Sequence, residues 1–97
     1  MRVLAFKALK TYWQKVPGTE QELRAWFAEA EAADWKTPTA IKAKYGNASI
    51  LKDGRVVFNV CGNKYRLVTW INYDYRTIYI RFLGTHKEYD RIDAQTI

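Results

Sequence analysis

From Ser49 to Leu83 the side chains alternate between apolar and polar character, and turn signals interrupt the alternation at short intervals. "SILKDGRVVFNV" contains an Asp-Gly pair, "CGNK" contains Gly62 and Asn63, and "NYDYRT" offers a longer reversal before "IYIRFL". Period two with tight turns leaves few folds open, because such strands must join as hairpins and bury one face. An antiparallel meander of three or four strands is predicted for this half of the chain.

The front half follows the helical period instead. Val3 to Ala5 reads as a short first strand, after which Leu9, Tyr12, Trp13 and Val16 recur at i, i+3, i+4 and i+7 and "PG" ends the run. Thr19 with Glu22 has capping-box spacing, and Leu23, Trp26, Phe27 and Ala30 form a second apolar stripe to about Asp34. Thr37 followed by Pro38 opens a third, short helix through Tyr45, closed by Gly46. The predicted class is α+β, with N-terminal helices packed on an antiparallel β-sheet meander. The 97 residues suffice for one core, so a single domain over residues 1–97 is expected.

The turns set the pairing. If Gly62 and Asn63 form a two-residue loop, Cys61 faces Lys64, Asn59 faces Arg66 and Val57 faces Val68. If Asn72 faces Thr77, Trp70 faces Tyr79 and Val68 faces Arg81. Alternation then sends Val56, Phe58, Val60, Tyr65, Leu67, Ile71, Ile78, Ile80 and Phe82 toward the helices. Arg55, Asn59, Lys64, Arg66, Tyr79 and Arg81 collect on the other face with Trp70. Cations that hold phosphate, interleaved with rings that stack on bases, suit single-stranded RNA or DNA. The competing interpretation is a row of solvated arginines with no ligand.

Charge points the same way. Residues 1–35 balance five Lys/Arg against five acids, residues 36–87 carry ten against two, and residues 88–97 carry one against three. A basic block beginning at Lys36, Lys42 and Lys44 implies a polyanionic partner. Four tryptophans and 15% aromatic residues favour a packed globule over a disordered chain. No apolar run approaches the ~20 residues of a membrane span, and "MRVLAFKALK" lacks the apolar stretch of a secretory leader, so no membrane partner and a cytoplasmic location are expected. One cysteine and one histidine cannot close a structural zinc site. No metal or cofactor is expected, and Cys61 is read as a small strand residue.

"GTHKEYDRIDA" contains the only histidine. After a strand ending at Leu83, with Gly84 freeing the backbone, it is presented at the rim of the basic face. Histidine exchanges protons near neutral pH, tyrosine can do so beside cations, and Lys or Arg can stabilise a dianionic phosphorane. These groups serve metal-free RNA cleavage by the substrate's own 2′-hydroxyl. Glu88, Asp90 and Asp93 repel phosphate unless they bind neighbouring groups or face away.

"VVFNVCGNKYRLV" with "YIRFLGTHKEYDRIDA" resembles the HigB-type toxins of type II toxin–antitoxin systems, within the RelE-like superfamily of mRNA interferases. The resemblance extends over nearly the whole chain, including "ADWKTP", and "GTHKEYD" is its most specific element. It implies an enzyme, an endoribonuclease that cuts mRNA in the ribosomal A site, inhibits translation and is silenced by a HigA-type helix-turn-helix antitoxin. Its motif positions are Asn63, Lys64, Arg66, Arg81, His86, Lys87 and Tyr89. His86 is the expected general acid or base, and Tyr89 a second proton-transfer or base-stacking group. Arg66 and Arg81 are expected to stabilise transition-state charge, with Lys64 and Lys87 on phosphate and Arg55, Trp70 and Tyr79 on RNA. Asn63 serves the turn, and Asp90 is a candidate to orient a neighbour. Two alternatives remain on sequence: a non-catalytic RNA- or DNA-binding module, and a ParE-like toxin that inhibits gyrase.

Overall fold

The computed structural model describes all residues, 1–97. In chain order the elements are β1 (Arg2–Leu4), α1 (Phe6–Lys15), α2 (Glu20–Ala32), α3 (Pro38–Lys44), β2 (Ser49–Ile50), β3 (Arg55–Val60), β4 (Tyr65–Asn72), β5 (Thr77–Thr85) and α4 (His86–Tyr89). The five strands form one sheet in the order β1-β5-β4-β3-β2. β2 through β5 pair antiparallel as a meander, while β1 lies parallel to β5. The predicted α+β architecture is present, with β1 added to the meander. No helix is long and apolar enough to cross a membrane.

The two helical stripes bury as their spacing requires. Leu9 and Trp13 of α1 and Leu23, Trp26 and Ala30 of α2 join Val56, Phe58, Val60, Leu67, Ile71, Ile78 and Ile80 in the main core. Phe58 lies at its aromatic centre, with ring centroids 5.4 Å from Trp26 and 5.2 Å from Tyr45. Truncating a phenylalanine in such a position costs about 3–5 kcal/mol.

The helix starts divide the expectations. Thr37 accepts the Ala40 N–H at 3.3 Å with Pro38 in the first turn, as predicted. Thr19 and Glu22 do not form a capping box: the Thr19 hydroxyl donates to the Val16 carbonyl, and the Glu22 carboxylate accepts the Cys61 N–H across the domain. A 3₁₀ turn at Pro17–Thr19 puts Thr19 in a helical conformation, so its hydroxyl does not face the N–H groups of α2.

Both tight turns use left-handed backbone. Asp53 (φ 54°) and Gly54 (φ 81°) link β2 to β3. A side chain at 54 would lie 2.4 Å from the Ile71 carbonyl oxygen, so only glycine fits there. Between β3 and β4 the register is the predicted one, Asn59 facing Arg66 and Val57 facing Val68, but the ladder ends at Val60–Tyr65. Cys61 therefore starts the loop, at φ 52°, rather than ending the strand.

The β4–β5 ladder departs from strict alternation. Trp70 faces Tyr79 as expected, then a β-bulge shifts the register and Val68 pairs with Phe82 instead of Arg81. The extra residue reverses Phe82, which leaves the helix face and packs with Val57 and Val68 on the opposite side. There residues 89–97 cover the sheet: Ala94 is buried, and Leu51, Tyr89, Ile92 and Ile97 close around the two valines. The Gln95 side chain fastens this segment by accepting the Lys52 N–H at 2.8 Å and donating to the Lys52 carbonyl at 2.6 Å.

Candidate active site

The C-terminal segment divides the predicted basic face into two polar ends. Across β3, β4 and β5 the rows on this face read Arg55–Trp70–Tyr79, then Val57–Val68–Phe82, then Asn59–Arg66–Gly84. The middle row is apolar and covered, with Val57 2% and Val68 0% exposed. The outer rows, at Trp70 and Arg66, are four β4 residues apart, roughly 13 Å along the strand.

The histidine end is built on the β3–β4 loop. Tyr65 pairs with Thr85, and one step on the His86 N–H donates to the Lys64 carbonyl at 3.0 Å. This bond places His86 beside Lys64, with Arg66 and Lys87 adjoining. Arg66 donates through Nη1 to the carbonyls of Asn63 (2.9 Å) and Tyr65 (3.3 Å), both uncharged acceptors. Lys64, Arg66 and Lys87 make no ion pair. Their positive charge is open to phosphate.

The short α4 is held by its start. Thr85 Oγ1 accepts the Glu88 N–H at 3.1 Å while Glu88 returns a carboxylate oxygen to the Thr85 N–H at 2.8 Å. This is a complete capping box, and T-x-x-E in "THKE" is its sequence signal. The Thr85 N–H, then the Thr85 hydroxyl, hold the Glu88 carboxyl below its ordinary value, with Arg91 adding to the effect. Glu88 is thus committed to the helix start.

Gly84 also has a role other than backbone freedom. β5 continues through it to Thr85, and a Cβ there would lie 2.7 Å from Phe82 Cζ and 3.0 Å from Glu88 Oε1. Its bare backbone lets Phe82 and Glu88 meet over the strand.

His86 Nε2 lies 3.5 Å from Asp90 Oδ1 one helical turn away, both side chains being well exposed. Asp90 is the neighbour within reach of the imidazole when it is protonated. Tyr89 is half-buried against the covered apolar row.

At the other end Trp70 and Tyr79 stack, centroids 4.9 Å apart and planes at 27°, and the indole N–H donates to the Asp53 carbonyl at 2.9 Å. Arg55 and Arg81 both donate to the Ile97 backbone oxygen, Arg81 at 3.2 Å. Arg81 lies five residues before His86, roughly 15 Å along β5. The structure therefore groups Lys64, Arg66, His86 and Lys87, keeps Tyr89 on the same short helix but packed on the covered apolar row, and sets Arg55, Trp70, Tyr79 and Arg81 apart from them.

Much of the remaining basic block is structural. Lys42 donates to the Gly46 carbonyl (2.7 Å) and the Ala48 carbonyl (2.5 Å), Lys44 pairs with Glu29 at 3.4 Å, and Arg76 pairs with Asp34. Cys61 is a poor nucleophile, since burial and then Glu22 push its thiol pKa up against the opposing effect of Lys64.

Comparison with known proteins identifies the family of the chain. The family model HigB_toxin, described as the RelE-like toxic component of a toxin–antitoxin system, matches residues 19–92. Over 96 residues the chain is 36% identical to the mRNA interferase toxin HigB of Escherichia coli strain K12, covering 97% of this chain and 92% of that protein. The mRNA interferase HigB proteins of Escherichia coli O157:H7 and Shigella flexneri give the same identity and coverage.

Proposed function

This chain belongs to the HigB family of RelE-like toxins, the toxic components of toxin–antitoxin systems, and on that footing we propose that it is an mRNA interferase. It is an endoribonuclease that cuts mRNA, inhibits translation and is neutralised by an antitoxin. Residues 1–97 act as one toxin domain. The substrate is mRNA in the ribosomal A site, and the antitoxin is of the HigA helix-turn-helix type.

The observation that carries this reading is the main-chain bond from His86 to Lys64, which ties the segment bearing the one histidine to the loop before Arg66, where Lys64, Arg66 and Lys87 pair with no acid. In the proposed reaction the substrate's 2′-oxygen attacks the adjacent phosphorus and the P–O5′ bond breaks. The products are a 2′,3′-cyclic phosphate and a 5′-hydroxyl. One group removes the 2′-hydroxyl proton and another protonates O5′, which are the roles of His86 and Tyr89. Arg66, with Lys64 and Lys87, stabilises the charge that builds on the phosphorane oxygens.

Arg81, Arg55, Trp70 and Tyr79 contact RNA further along the strand direction. Arg81 then stabilises a neighbouring phosphate and affects turnover through substrate placement. No metal takes part in this scheme.

The test is an mRNA carrying a 2′-deoxynucleotide at the mapped cleavage position, presented on ribosomes. It stays intact while the all-ribose message is cut. Cleavage of the deoxy message would exclude attack by the 2′-hydroxyl.

A further inference from the structure

β5 is paired on one side from Thr77 to Thr85, interrupted only by the bulge at Arg81, and on the other side for only three residues. β1 joins it at Thr77, Ile78 and Tyr79 and ends at Leu4. Ala5, at φ 69°, turns the chain out of the sheet into α1. From Phe82 to Gly84 the only strand paired with β5 is β4.

The open edge has a defined polarity. The His86 N–H turns inward to Lys64 whereas the Thr85 N–H turns outward to Glu88. By the two-residue alternation of an antiparallel ladder, Leu83 also presents its N–H and C=O outward.

A groove of about 410 Å³ runs along this edge, lined by Lys7, Ala8, Thr11, Tyr12, Lys15 and Leu83. Its floor is apolar and its rim is cationic. α1 contributes Lys7, Lys10 and Lys15 and carries no acid, and the lining lysines make no ion pair.

We infer that the free edge of β5 beyond Tyr79 is the docking site for an extended, acidic segment of the antitoxin, added to the sheet as a strand collinear with β1. The proposal rests on the toxin–antitoxin reading and specifies where the partner binds. An unpaired strand edge offers main-chain hydrogen bonds, and the pockets beside it select side chains. A small apolar side chain of the segment fits over Ala8 and Leu83, and flanking carboxylates meet Lys7 and Lys15. The edge leads to Thr85, which caps the helix bearing His86. A strand docked there lies against the support of the candidate active site without covering His86.

The test uses the full-length toxin and its full-length cognate antitoxin. Binding is measured for wild type, for the double variant Lys7→Glu/Lys15→Glu and for Ala8→Trp, which fills the groove from an exposed position. Hydrogen exchange is read at Arg81–Thr85 with and without antitoxin.

The expected result is at least tenfold weaker binding for both variants, unchanged mRNA cleavage by the free variants, and protection of the Leu83 amide in the wild-type complex. Binding within twofold of wild type, with no added protection at Leu83, overturns the docking site and leaves the toxin–antitoxin reading intact. A wild-type toxin that cuts mRNA but binds no antitoxin overturns both.

Discussion

The Lys64 carbonyl accepts the His86 N–H at 3.0 Å, so the histidine is tied to the β3–β4 loop by main chain rather than left on a free tail. Loop and helix are joined in one rim, in which Arg66 bonds back to the Asn63 carbonyl. Positioning of this kind is what catalysis by side chains alone requires.

Arg66 and Arg81 are predicted to separate on mutation. Arg66→Ala removes one of the unpaired cations at the histidine end and costs about 2–4 kcal/mol of transition-state stabilisation. Arg81→Ala, at the far side of the covered row, is expected to weaken substrate capture more than the chemical step. Single-turnover cleavage on ribosomes, measured against toxin concentration, distinguishes the two. Equal losses in the maximal rate would contradict the division of the face.

Gly84→Ala places a methyl group against Phe82 and Glu88, where a Cβ meets atoms at 2.7 and 3.0 Å. Overpacking of this kind destabilises by about 1–3 kcal/mol. Thermal denaturation reads it as a lowered midpoint, and an unchanged midpoint would show that β5 yields at this point.

The capping box gives a pH dependence whose sign is fixed. Glu88 ionises below its ordinary value of 4.5 because its charged form accepts the Thr85 N–H. Its contribution to stability is complete above that value and is lost as pH falls through the lowered one. The stability difference between wild type and Glu88→Gln should therefore shrink toward zero in acid. Thr85→Ala removes the other half of the box and costs about 1 kcal/mol. A difference that grows in acid would refute the assigned bonds.

Gln95→Ala removes both hydrogen bonds to Lys52 and loosens the cover over Val57 and Val68. A loss of about 1–2 kcal/mol is expected. Faster hydrogen exchange at Val57 and Val68 locates it. Unchanged exchange would mean that Ala94 and Ile97 hold the segment without Gln95.

The hairpin registers and both helical stripes were legible because turn chemistry and periodicity are local. The bulge was not: one extra residue in β5 leaves the alternation of "IYIRFL" intact while reversing Phe82. The cover over the sheet had a signal in Val57 and Val68, two apolar residues whose alternation points away from the helices, with Ile92 and Ile97 available to meet them. Thr85 and Glu88 had a signal too, since "THKE" fits a capping box as well as "TEQE" does. Spacing cannot tell which of the two starts from an extended residue, and Thr19 does not. The parallel pairing of β1 with β5 joins the two ends of the chain and has no local trace.

The most direct measurement is primer extension on a defined mRNA bound to programmed ribosomes, with wild-type toxin beside His86→Ala and a ribosome-free control. The account predicts cuts at A-site codons that require ribosomes and fade strongly in the variant. Cuts of undiminished strength from a folded His86→Ala protein would contradict it.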